Sequence, residues 1–135
     1  MNKYEELVAQ CHKAFAQAID APYSADLLKL RQKLINEEAQ ELNIELDTLI
    51  RETENGGTPL AETVTRMYKE LADLQYVLSG MVVSLGIPME EVFDRVHQSN
   101  MSKLVDGKPL KRADGKFLKG PNYKKPVLDD LVKIR

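Results

Sequence analysis

The stretch Leu34-Ile35-Asn36-Glu37-Glu38-Ala39-Gln40-Glu41-Leu42 decides how this chain folds. Turned at about 100° per residue, it belongs to a helix on which Leu28, Leu34, Ile35, Leu42, Leu46, Leu49 and Ile50 share one broad apolar face. Glu38 falls inside that face, and Glu37 and Glu41 lie along one edge. Glu45 also projects toward it, with no role that the spacing reveals. Upstream, Ser24 is the expected N-cap. Downstream, the helix runs to about Glu54, with a bend or break expected near Asn43. Asn55-Gly56-Gly57 provides the left-handed stop.

A third helix is expected from Thr58 as cap and Pro59 as first residue to Leu85, with Gly86 as its stop. Its core stripe is Leu60, Val64, Met67, Leu71, Leu74, Leu78, Met81, Val82 and Leu85. Glu70 falls within the stripe and Asp73 on its border, one turn away. A first helix over residues 3–19 carries Tyr4, Leu7, Val8, Cys11, Phe15 and Ile19 at helical spacing, and a fourth runs from Pro88 to about Lys103. Short connections predict antiparallel neighbours. The fold class is therefore all-α: a bundle of four main helices over 1–104, then a looped basic tail with a short terminal helix over 105–135, in one domain.

That tail holds a small repeat, Asp106-Gly107-Lys108-Pro109-Leu110-Lys111 and Asp114-Gly115-Lys116-Phe117-Leu118-Lys119, in which each Asp-Gly marks a turn. It is also where the charge changes sign. Residues 1–100 carry 9 Lys+Arg against 17 Asp+Glu, whereas 101–125 carry 8 Lys+Arg against 2 Asp. An acidic body argues against nucleic-acid partners, which need a broad basic face. A small basic segment beside acids suits a metal–phosphate ligand. No run approaches a membrane span, and the N-terminus lacks a signal peptide's apolar core. The cytoplasm is the expected location. The single cysteine, Cys11, makes no internal disulfide.

Carboxylates inside an apolar face are costly unless paired or bound to metal. Glu38-x-x-Glu41 and Glu70-x-x-Asp73 each project side by side on one helix face. Together they make a four-carboxylate cage, and hard oxygen ligands without His or Cys favour Mg²⁺, or Mn²⁺, over zinc or copper. The competing explanation makes these acids solvated positions or partners of Arg31 and Lys33.

Glu37-Glu38-Ala39-Gln40-Glu41, then 28 residues, then Glu70-Leu71-Ala72-Asp73, resembles the EExxE…ExxD signature of the all-α nucleoside triphosphate pyrophosphatases. That superfamily groups MazG-like enzymes, dimeric dUTPases and phosphoribosyl-ATP pyrophosphohydrolases. Val96-His97-Gln98-Ser99-Asn100-Met101-Ser102-Lys103 and Gly120-Pro121-Asn122-Tyr123 are similar to the C-terminal pattern of MazG-like members. The resemblance implies a homodimer, with a tetramer as the alternative, and metal held by Glu37, Glu38, Glu41, Glu70 and Asp73. It also implies nucleotide contacts from Asn100, Lys103, Lys116, Lys119 and Tyr123, and cleavage between the α- and β-phosphates. Broad apolar faces on the second and third helices independently favour self-association.

Glu38 sits deepest in the apolar arc and is the expected general base. A dUTP-like substrate is the first reading within this class, and phosphoribosyl-ATP the second. A non-catalytic metal-binding helical module is the reading from another class. A di-iron bundle needs Glu-x-x-His from two helices, and the chain offers only Asp94-x-x-His97.

Overall fold

A computed structural model describes all 135 residues. Four helices dominate: α1 (Lys3–Ala14), α2 (Ala25–Thr53), α3 (Ala61–Leu85) and α4 (Met89–Met101). The only sheet pairs β1 (Leu110–Lys111) with β2 (Phe117–Leu118), antiparallel. No single helix is long and apolar enough to cross a membrane.

The chain forms two compact units, one of Met1–Ile87 with Ile134–Arg135, the other of Pro88–Lys133. The helix α4 belongs to the second unit. In the first unit α2 packs along α3, and α1 packs on α3. Asn2 and Glu5 close a capping box at the start of α1: the Glu5 N–H donates to Asn2 Oδ1 at 2.9 Å, and the Asn2 N–H to Glu5 Oε2 at 3.2 Å. That helix stops at Ala14, short of the expected residue 19, because Ala16 and Asp20 take left-handed backbone (φ 53° and 48°).

The second helix is capped by Ser24, whose Oγ accepts the Leu27 N–H at 3.1 Å, and it runs unbroken through Asn43. Its end is followed by a short 3₁₀ turn, Glu54–Gly56, in which Asn55 is left-handed (φ 56°). The third helix starts at Ala61, two residues later than expected, because its cap comes from elsewhere. Glu52, still on α2, accepts the Leu60 N–H at 2.9 Å and the Thr63 hydroxyl at 2.7 Å. These hydrogen bonds hold the Glu52 carboxyl below its ordinary pKa. At the other end Gly86 adopts φ 64°, ψ 39°, and a Cβ there would run into Asp20.

Few apolar residues are fully buried: Val8, Val82, Val83 and Leu85. Leu60, Leu71 and Leu78, expected in the core, stand about half exposed, as do Tyr4, Leu7 and Tyr68. A groove of about 730 Å³ between α1 and α3 is lined by five of these, Tyr4, Leu7, Tyr68, Leu71 and Leu78, with the buried Val8 beside them.

In the second unit, Arg95 on α4 donates to Glu91, Asp130 and the Val127 carbonyl, which fastens the C-terminal segment to the helix. The partner acids raise the Arg95 pKa, and Arg95 lowers that of Asp130. The Asp-Gly repeats make two turns. Asp106-Gly107 (φ 49° and 75°) joins Val105 to Lys108 by a two-residue hairpin, and Asp114-Gly115 joins β1 to β2. The expected terminal helix is only a 3₁₀ turn, Asp129–Leu131, because three residues there close hydrogen bonds before the chain extends again at Val132.

Candidate metal and phosphate site

Antiparallel packing of α2 on α3 sets one register. Glu45 meets Arg66, Glu41 meets Glu70, Glu38 lies by Asp73, and Arg31 reaches Gly80. Each step along α2 is matched by an equal step on α3, so sequence spacing alone brings both acidic pairs to one level. There, carboxylate oxygens of Glu38, Glu41, Glu70 and Asp73 all lie within 4.8 Å of one another.

Two features of this group fit a divalent cation. Glu38 Oε2 and Glu70 Oε2 are buried without any hydrogen-bond partner. Burial raises the Glu70 pKa, reinforced by its hydrogen bond with the Glu41 carboxyl, while Lys69 opposes the shift. Four oxygen donors from short-spaced acids, two of them with unmet lone pairs, match the preference of hard cations. Lys69 Nζ, 2.6 Å from Asp73 and 3.8 Å from Glu70, supplies part of the missing positive charge from the exposed rim.

Glu37 stands outside this group. Its half-exposed carboxylate is 3.9 Å from Lys33. Glu45, whose spacing reveals no role, accepts two hydrogen bonds from Arg66 Nε at 2.8 and 3.2 Å and closes the acidic level on one side. Lys69 and Arg66 were not singled out from sequence, since lone cations on exposed helix positions carry no distinguishing signal. Of the competing pairings, Lys33 with Glu37 forms, but Arg31 pairs with none of the acids.

The predicted nucleotide contacts lie in the second unit. Lys103 Nζ donates to Asn100 Oδ1 at 3.2 Å across one turn at the end of α4. Lys119 Nζ sits 4.6 Å from the centre of the Tyr123 ring. The Gly120 N–H donates to the Lys103 carbonyl at 2.9 Å, and the Lys124 N–H to Ser102 Oγ at 2.9 Å, so Lys103, Lys119 and Tyr123 belong to one hydrogen-bonded segment. Lys116 is exposed in the β1–β2 turn, its N–H donating to Asp114.

A helical fold with four carboxylates gathered between two antiparallel helices offers a place for a divalent cation. The chain belongs to the phosphoribosyl-ATP pyrophosphohydrolase family, whose model matches residues 5–100. Through it the chain falls in the MazG-like all-α nucleoside triphosphate pyrophosphatase superfamily. Members of the family are pyrophosphohydrolases and typically depend on divalent metal. A search of the curated proteins returns no match.

Proposed function

We propose that this chain is a Mg²⁺-dependent nucleoside triphosphate pyrophosphohydrolase that cleaves between the α- and β-phosphates, releasing a nucleoside monophosphate and pyrophosphate. The observation that carries this reading is the pair of partnerless buried oxygens, on Glu38 and Glu70, inside a group of four acids. Glu38, Glu41, Glu70 and Asp73 would hold the cation, with Glu37 as the outer member of the set. Bound Mg²⁺, or Mn²⁺, supplies charge neutralisation on the phosphates and a more acidic water.

Glu38 accepts the proton of the attacking water as the new P–O bond forms and the bridging P–O bond breaks. Lys103, Lys116 and Lys119 balance charge on the departing pyrophosphate, and Asn100 and Tyr123 contact the nucleotide. A dUTP-like substrate in a housecleaning role is the first reading. Phosphoribosyl-ATP is the second, favoured by the description of the matching family. The reaction belongs in the cytoplasm, with its substrates.

The reading includes a homodimer. Tyr4, Leu7, Tyr68, Leu71 and Leu78 are each more than 40% exposed along the α1–α3 groove, an apolar area that a lone chain in water rarely leaves open. Light scattering should give twice the chain mass of 15.3 kDa. A panel of nucleotides with Mg²⁺, including dUTP and phosphoribosyl-ATP and scored for pyrophosphate, tests the activity. Release from at least one, abolished by chelator, is expected. Silence across the panel sinks the enzymatic reading and leaves a non-catalytic metal-binding module.

A further inference from the structure

The cations that the first unit places near the acid cluster are not equivalent. Arg66 on α3 is tied to Glu45 by two hydrogen bonds from Nε, and to Thr63 Oγ1 by Nη2 at 3.4 Å. Lys33 on α2 leans toward Glu37, outside the cluster. Lys69 alone reaches the cluster's own members. Its Nζ lies 2.6 Å from Asp73 Oδ2 and 3.8 Å from Glu70 Oε1. Asp73, then Glu70 and Glu41, hold this ammonium above the ordinary lysine pKa. Its side chain is nevertheless 67% exposed. The charge therefore sits on the cluster from the water side, at the end of a flexible four-carbon stem.

Carboxylates gathered this closely repel one another, and an ammonium on their rim offsets part of that repulsion. A divalent cation ligated by Asp73 and Glu70 draws on the same negative charge and adds a like charge beside Nζ. The pair with Asp73 is then weakened from both sides. A polyphosphate bound through that cation brings new negative oxygens to the rim, and an ammonium with three donors suits them.

We propose that Lys69 is the resident counter-ion of the acid cluster, displaced from Asp73 when a divalent cation binds, and that its freed ammonium then takes a substrate phosphate oxygen. The inference rests on the reading of the acids as a cation site for phosphate chemistry. It gives the first unit a phosphate-binding cation of its own, apart from the lysines of the second unit. An ordinary i, i+4 surface pair would change stability a little and ligand binding not at all. The two halves of the proposal carry opposite signs: loss of the ammonium favours the metal and disfavours the phosphate.

The test is calorimetric titration of wild type, Lys69→Met and Lys69→Arg, first with Mn²⁺ alone and then with inorganic pyrophosphate at saturating Mg²⁺. Pyrophosphate stands for the polyphosphate of the candidate substrates, whatever their base. Lys69→Met should bind Mn²⁺ roughly three- to fivefold tighter than wild type, since no ion pair has to be broken. It should bind pyrophosphate roughly tenfold more weakly, since a charge-assisted hydrogen bond is lost. Lys69→Arg keeps a charged donor and should stay within a factor of about two of wild type in both titrations. In chelator, Lys69→Met should melt roughly 1 to 4 °C below wild type, and saturating Mn²⁺ should remove the difference. Mn²⁺ binding no tighter in Lys69→Met than in wild type, or pyrophosphate binding no weaker, overturns the assignment and leaves the acids a cation site. Absence of any Mn²⁺ uptake by wild type shows instead that the reading of the acids has failed, and the counter-ion role falls with it.

Discussion

A Glu38→Gln variant is expected to fold, to bind nucleotide, and to lose turnover by a factor on the order of 10² to 10⁴, the usual contribution of a general base. Folding survives because Glu38 Oε2 is buried without a partner, so a neutral amide of the same shape removes an unmet charge and breaks no hydrogen bond made by that atom. Turnover falls because an amide cannot take the proton of the attacking water. Because Glu38 is also one of the proposed cation ligands, the comparison is made at metal concentrations that saturate both proteins, where the loss should appear mainly in kcat. Steady-state kinetics checks this, and near-normal kcat in Glu38→Gln would take the base role from Glu38.

Metal should invert the stability order of wild type and Glu70→Gln. In chelator the Glu70 carboxyl is held above its ordinary pKa, first by burial and then by its hydrogen bond with Glu41. The folded chain therefore keeps this proton over a pH range in which the unfolded chain has lost it. Between the unfolded and folded pKa values the native state binds more protons, so stability falls as pH rises through that window. A glutamine cannot ionise and escapes this loss. Metal-free Glu70→Gln should melt above wild type at pH 8, and the gap should shrink as pH falls through the Glu70 titration. Saturating Mg²⁺ or Mn²⁺ should invert the order. Wild type gains about 2.7 kcal/mol at a hundredfold excess over Kd, whereas the variant has lost a charged ligand and gains much less. Melting curves at several pH values, with and without metal, decide it. Equal metal stabilisation of the two proteins would place the cation elsewhere.

Helical periodicity was enough to find the acids that now share one level of the α2–α3 seam, because an acid inside an apolar arc stands out against its neighbours. It was not enough to find what surrounds them. Glu52 serves as cap for a helix that begins nine residues later, and Thr58-Pro59, a plausible start by local chemistry, stays outside α3. Glu45 gained its role only by meeting Arg66, 21 residues on. Leu71 and Leu78 read as core because a helical wheel reports which residues are apolar, not whether another element of the same chain arrives to cover them.

By itself the sequence determined the helices, most of their stops, and the spacing that carries Glu38-x-x-Glu41 and Glu70-x-x-Asp73 on facing surfaces. These follow from backbone preferences and side-chain periodicity, which act within a few residues. Only the tertiary structure decided which oxygens remain unmet, that Glu37 stands apart with Lys33, and that Arg31 and His12 converge beside Gly80. Those outcomes depend on desolvation and pairing between groups distant in the chain, and such energies exist only once the helices have packed.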